Sequence, residues 1–272
     1  MKRILFGLLG WMAVGFAAAA AGGDRLGPAA ANEEQASARA ASPALRAIQR
    51  AAAARKLIFV FFWKEQNPQT DKAWGVLRPA VAKLGPWADV AAVRVTDPAE
   101  RQIVERYGVS RAPMPLVLAI APCGAVTKGF TRDFSEAQLR TALVSPSTQL
   151  CLKALQDRKL VLLCVVDQLS PQDPAAIPKG VRDFQADQRF AAATEIVLAG
   201  ARDEGEAGLL KELGVEPKAP KPMTVLLAPP GTVIGRFDAR ATKEQLVAKL
   251  SAAQSNPCAG GKCGPGGCGP KK

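Results

Sequence analysis

The chain repeats itself, and no other feature constrains its fold as much. "RKLIFVFFWKEQNPQTD" begins at Arg55 and "RKLVLLCVVDQLSPQD" at Arg158, with Pro68-Gln69 and Pro171-Gln172 in matching places. Further on, "RYGVSRAPMP" from Arg106 answers "ELGVEPKAPKPMT" from Glu212, and "APCGAVTKGF" from Ala121 answers "APPGTVIGRF" from Ala228. "EAQLRTAL" from Glu136 answers "KEQLVAKL" from Lys243. The spacing between the copies drifts only slightly, so the elements keep their order. Internal self-similarity of this kind reads as two domains of one fold, 42–146 and 147–250. A chain of 272 residues is long enough for two.

Each copy has the same internal pattern. A helix opens it; Ser42 followed by Pro43 is an N-cap with proline at the first helical position, and the helix is expected to run to about Arg55. An unbroken apolar run follows, 57–63 or 160–166. Such a run suits a central strand covered on both faces. After a polar turn and a helix comes a second strand, 89–96 or 194–200. A short helix leads to Tyr-Gly-Val or Leu-Gly-Val. A third strand then begins near Pro-Met, a glycine turn makes a hairpin to a fourth, and an amphipathic helix closes the unit. The fold class is α/β, with a central mixed sheet flanked by helices in each copy.

The segments outside the repeats differ in kind. Lys2 and Arg3, the apolar run from Ile4 to Ala21 and its small-residue end read as a signal peptide over 1–21, with an uncleaved anchor as the alternative. Residues 22–41 are Ala-rich without apolar periodicity and read as a flexible leader. The expected location is therefore periplasmic or extracellular. The net charge of +12 suits either solubility or attachment to an anionic envelope surface. Lys and Arg are scattered and no nucleic-acid motif occurs, so nucleic acid is not an expected partner. The chain has no histidine, which excludes Ser-His and Cys-His catalysis and histidine metal sites.

The element order, the aromatic strand end "VFFW", the segment "YGVSRAP", the hairpin "GAV…GF" and their second copies resemble the thioredoxin superfamily. The resemblance covers most of residues 42–250. It implies a cis-proline at Pro113 and at Pro222, and a face around Trp63, Pro113-Met114 and Pro222-Met223 that receives extended partner chains. It also implies a Cys-x-x-Cys after the first strand, where a helix N-terminus activates a thiol. Here Asn67, Pro68, Gln69 and Thr70 stand at that place, and Ser170, Pro171, Gln172 and Asp173 in the second copy. No cysteine precedes Cys123, so the first domain cannot exchange a dithiol there. Asn67 and Ser170 read as helix caps; the alternative is a polar pocket that binds a peptide or small ligand.

Six cysteines remain to be placed. Cys164, mid-strand, reads as a buried apolar residue. Cys123, in the hairpin turn, and Cys151, on the helix opening the second domain, are a candidate disulfide in an oxidising compartment. The tail, 251–272, carries Cys258, Cys263 and Cys268 in a Gly/Pro background. That composition suits soft-metal chelation, a disulfide-linked or metal-bridged oligomer, or a low-complexity end. The leading expectation is a redox-inactive binding or scaffold protein for a peptide or protein partner. The alternatives are a thiol oxidoreductase or soft-metal binder acting through the tail, and a basic envelope-associated protein.

Overall fold

A computed structural model of the protein describes residues 42–131, 133–167, 177–215 and 222–255. The expected signal peptide (1–21) and leader (22–41), Cys258, Cys263, Cys268 and the Ser170–Asp173 tetrapeptide lie outside the described residues. The chain divides into two units between Leu143 and Val144. The division falls just before the boundary expected at 146, because Ser145 caps the helix that opens the second unit.

In the first unit, helix α1 (Pro43–Ala53) starts on Ser42, whose Oγ accepts the Leu45 N–H at 3.0 Å. It buries Ala44, Leu45, Ile48 and Ala51, one face at helical spacing. It ends slightly earlier than expected: Arg55 turns left-handed at φ 56°, and the Lys56 N–H closes the end on the Ala51 carbonyl at 2.8 Å. Strand β1 (Leu57–Trp63) follows, buried except at Trp63. It lies between β2 (Ala88–Arg94), to which it runs parallel, and β3 (Leu116–Ile120), to which it runs antiparallel. β4 (Val126–Thr131) completes the order β2-β1-β3-β4. The second strand ends at Arg94 rather than 96, where the Asp97 N–H turns back onto the Arg94 carbonyl at 3.0 Å.

Strand alternation divides the core of this unit. Ile58, Val60 and Phe62 join one apolar cluster with Ile48 of α1 and Ile103 of α3 (Arg101–Arg106). The intervening Phe61 meets Trp74 of α2 (Pro68–Leu84) with ring centroids 5.2 Å apart. A short closing helix, α4 (Glu136–Arg140), begins in a reciprocal capping box between Ser135 and Gln138.

The second unit repeats this plan. Its elements are α5 (Pro146–Gln156), β5 (Leu160–Val166), α6 (Lys179–Ala186), β6 (Thr194–Gly200), α7 (Ala207–Glu212), β7 (Met223–Ala228), β8 (Thr232–Asp238) and α8 (Lys243–Ser255). The sheet order is β6-β5-β7-β8, with the same parallel and antiparallel pairings. The repeat extends to single residues. Arg158 is left-handed at φ 60°, as Arg55 is. Gly108 and Gly214 both hold positive φ, 60° and 67°, in their Gly-Val turns. The ion pairs Lys56–Asp89 and Lys159–Glu195, each 3.2 Å, tie the first strand's entrance to the second strand.

Each unit is thus a mixed four-stranded sheet with helices packed on it, in a βαβ–ββα order, the thioredoxin-like arrangement. Among the described residues no helix is long and apolar enough to cross a membrane.

Candidate functional site

The C-terminal ends of β1 and β2 and the start of β3 meet at one edge of the first sheet. The ladder between β1 and β3 ends on the pair Phe62–Leu116, so one step further the chain sets Trp63 opposite Pro115. On its other side Trp63 pairs with Arg94, and the Val95 N–H donates to the Trp63 carbonyl at 2.9 Å. The Arg94 guanidinium lies over the indole ring, 5.3 Å from its centroid. A cation held on an aromatic face in this way is favourable by about 0.5–1 kcal/mol where solvent reaches it. Trp63 is half-buried, and Lys64 and Arg94 are exposed.

The cis peptide bond at this edge is Met114–Pro115, not the bond preceding Pro113 as the sequence comparison implied. The reason is register. Pro115 enters β3 directly, whereas Pro113 is exposed two residues earlier. The sheets also realign the copies: Leu116 pairs with Phe62 as Met223 pairs with Val165. Pro222 is therefore the counterpart of Pro115, and Met223 of Leu116. Met114, half-buried, packs against the cluster of Phe62 and Ile103. The residue before Pro222 lies outside the described residues; a second cis bond, Pro229–Pro230, falls in the β7–β8 turn.

At the start of α2 the four residues Asn67, Pro68, Gln69 and Thr70 form a helix entrance. Asn67 Oδ1 accepts the Thr70 N–H at 2.9 Å, and Pro68 takes the first helical position. The Thr70 hydroxyl donates to the Glu65 carbonyl at 2.9 Å and its side chain is buried. Asp71 accepts from the Gln66 amide, and Asp133 accepts from Lys72 at 2.7 Å, which holds its carboxyl below the usual range. The groups standing where the resemblance implies thiols are a cap and an anchored hydroxyl. Neither offers a nucleophile.

Two of the three described cysteines are buried in cores. Cys151 faces inward from α5 into the second unit's core, and burial, with the Glu206 carboxylate adding to it, pushes its thiol up to about 12. It is a free thiol in this structure. It packs in the cluster of Ala154, Leu155 and Leu163, where the sulfur serves as core packing. Cys164 is likewise buried and free, its thiol raised to about 11 by burial and partly offset by the Thr224 hydroxyl 3.9 Å away. Cys123 is half-buried in the β3–β4 turn. Among the described residues no cluster of Cys, Asp and Glu has the makings of a metal site.

Two residues escaped the sequence reading although the repeat carried their signal. Glu100 and Glu206, in matching segments "DPAE" and "DEGE", are buried beneath the first helices of their units. Glu206 accepts from the Ser145 hydroxyl at 2.6 Å and the Ser147 N–H at 3.4 Å, and Glu100 from the Ala44 N–H at 3.3 Å. Arg94 also escaped it, since only strand pairing brings Arg94 to Trp63.

No family model matches this chain, and no curated protein matches it. It is similar to solved structures of the thioredoxin type. One is desulfothioredoxin from Desulfovibrio vulgaris Hildenborough in its reduced form: 23% identity over 32% of this chain and 78% of that chain, TM-score 0.27. Another is oxidized thioredoxin O2 from Arabidopsis thaliana: 10% identity over 37% and 84%, TM-score 0.30. A third is the first two thioredoxin domains of Saccharomyces cerevisiae Eps1p: 13% identity over 85% and 99%, TM-score 0.28. The chain's own sheet order is that of the thioredoxin type in both copies. By that order both units have a thioredoxin-like fold, and the first carries Asn67 and Thr70 in place of thiols.

Proposed function

We propose that the protein is an exported binding protein. It holds an extended peptide or protein segment against the Trp63, Met114 and Pro115 edge of its first unit, without dithiol exchange there. One observation carries this reading. The edge keeps an aromatic strand end beside a proline-led strand, while both ends of the tetrapeptide at the helix start are engaged in forming that start. A half-buried indole and thioether next to strand ends offer apolar contact to an extended chain.

The test uses full-length protein whose accessible thiols are blocked with iodoacetamide, titrated with fluorescein-labelled, cysteine-free extended peptides. Binding is expected to survive blocking and to fall on Trp63→Ala and Met114→Asp. Reduction of insulin disulfides by the unblocked protein is expected to match the uncatalysed rate. Binding that needs free thiols, or that ignores both substitutions, overturns the reading.

A further inference from the structure

The end of the first sheet opposite the Trp63 edge carries a large aromatic ring in the open. Trp87 is 71% exposed, more than any other large hydrophobic side chain among the described residues. It stands just before β2, and Gly85 and Pro86 ahead of it are exposed as well. Leu57 pairs with Ala88, so Arg55-Lys56 and Trp87 enter the sheet at the same end. Only Ala54, Arg55 and Lys56 separate α1 from β1, which brings the last turn of that helix, with Arg50, to this end too. Trp63 lies at the other end of β1, about 20 Å along the strand.

Charge at this end is positive. Arg50 and Arg55 are exposed, and neither has an acidic partner among the described residues. The acids brought here are already matched: Asp89 by Lys56 at 3.2 Å, and Glu136 by Lys83 at 2.7 Å and Arg140 at 2.9 Å. Helix α1 itself has no acidic residue.

The second unit fills the same positions differently. Ser42 and Ser145 cap the opening helices and Arg55 and Arg158 follow their ends, so Arg50 answers to Lys153 and Ala54 to Asp157. Lys153 and Asp157 form an ion pair one helical turn apart. Leu160 pairs with Thr194 as Leu57 does with Ala88, which makes Ala193 the counterpart of Trp87. Residues 42–143 hold fifteen Lys and Arg against eight Asp and Glu, and residues 144–255 fourteen against thirteen, so the first unit carries the excess of positive charge.

An open indole among arginines that have no carboxylates fits one kind of partner. Indole rings settle at the headgroup level of a bilayer, apolar body inward and N–H toward water, and cations near the surface are drawn to anionic lipids. A soluble acidic chain would engage the cations but give the indole no apolar layer to enter. We infer that the Arg50, Arg55 and Trp87 end of the first unit docks on an anionic phospholipid surface, with the indole in the headgroup layer and the guanidinium groups on lipid phosphates. Docked this way, the unit turns its Trp63 edge away from the bilayer, and lipid and peptide do not compete.

The experiment mixes full-length protein with vesicles of phosphatidylcholine alone, or of phosphatidylcholine and phosphatidylglycerol in equal parts, and reads the bound fraction by sedimentation. Binding is expected to the mixed vesicles only, and is expected to weaken as salt rises. Arg50→Gln combined with Arg55→Gln is expected to lower the partition coefficient about 30-fold, and Trp87→Ala about 5-fold. Ala54→Asp, which gives α1 the carboxylate of α5, is expected to lower it about 5-fold. Arg78→Gln combined with Arg111→Gln removes as much charge from other exposed positions of the unit and is expected to lower it less than about 3-fold. Equal losses in the two double variants, unchanged binding in Trp87→Ala, or vesicle binding that none of the substitutions moves overturns the inference. Absence of binding to either vesicle overturns it too; if polyglutamate-agarose then retains the protein only while Arg50 and Arg55 are present, the partner is an acidic polypeptide instead.

Discussion

Glu206 shows how one buried charge can organise a domain entrance. It is 1% exposed, and its two oxygens take the Ser145 hydroxyl and the Ser147 N–H at the start of α5. The carboxylate sits where a helix N-terminus presents its unsatisfied N–H groups and positive end. Glu206→Ala leaves those donors without an acceptor in a dry site, and the expected loss of unfolding free energy is about 1–3 kcal/mol. Glu206→Gln keeps an acceptor and is expected to lose less. Urea unfolding of the two variants checks this; equal losses would mean the acceptor role is not what matters. Glu100 performs the same office for Ala44 in the first unit. The pair was legible in principle from the repeat, since "DPAE" and "DEGE" align. Nothing in either tetrapeptide alone, however, says that its glutamate turns inward.

At the scale of elements, the two units use the same strands but close differently. The first ends in the five-residue α4, the second in the thirteen-residue α8. α8 lies against α6, and the approach is tight at Gly180. A Cβ placed there would stand 2.0 Å from the Ala241 carbonyl oxygen and 2.8 Å from the Thr242 Cα, both backbone atoms. Neither can retreat without moving the start of α8. Gly180→Ala is therefore expected to destabilise the second unit by about 1–3 kcal/mol, despite the better helix propensity of alanine. Thermal unfolding followed by circular dichroism would show it as a lowered midpoint. An unchanged midpoint would mean that α8 is not seated on α6 as described. The apolar strands, the hairpins and the helix caps at Ser42 and Asn67 were legible in the sequence, because period and capping chemistry are local. The proline that leads β3 was not. The resemblance implied Pro113, and the Phe62–Leu116 pairing puts Pro115 there instead.

For the molecule as a whole, the titrating groups that burial perturbs most lie chiefly in the second unit. Cys151 and Cys164 have folded thiols raised from 9.0 to about 12 and about 11 by burial. Above pH 9 the unfolded chain gives up protons that the folded chain keeps. Stability from these thiols is thus fully present below pH 9 and is lost as pH rises toward the folded values. In the first unit Tyr107 behaves in the same sense from its ordinary 10.0, raised by burial and opposed in part by Arg106. The second unit is expected to weaken first in alkali. Denaturant midpoints measured from pH 8 to pH 11 should fall. The fall should be shallower in Cys151→Ala, compared with that variant's own value at pH 8. An identical slope would show that Cys151 does not govern the loss. The same burial predicts that native protein at pH 8 leaves Cys151 and Cys164 unalkylated until it is unfolded.

By itself the sequence determined the duplication, the order of elements in each copy, the buried central strands and the absence of thiols at the first helix start. These are matters of composition and of patterns a few residues long, which the backbone reads locally. Only the tertiary structure decided which proline enters the strand beside Trp63, that Arg94 lies on the Trp63 ring, and that Cys151 points into a core. It also decided that Asp167 pairs with Arg202 beyond the ends of β5 and β6. Each of these depends on strand register or on the inward face of a helix. A shift of one residue in either would exchange the neighbours and leave the local pattern of the chain unchanged.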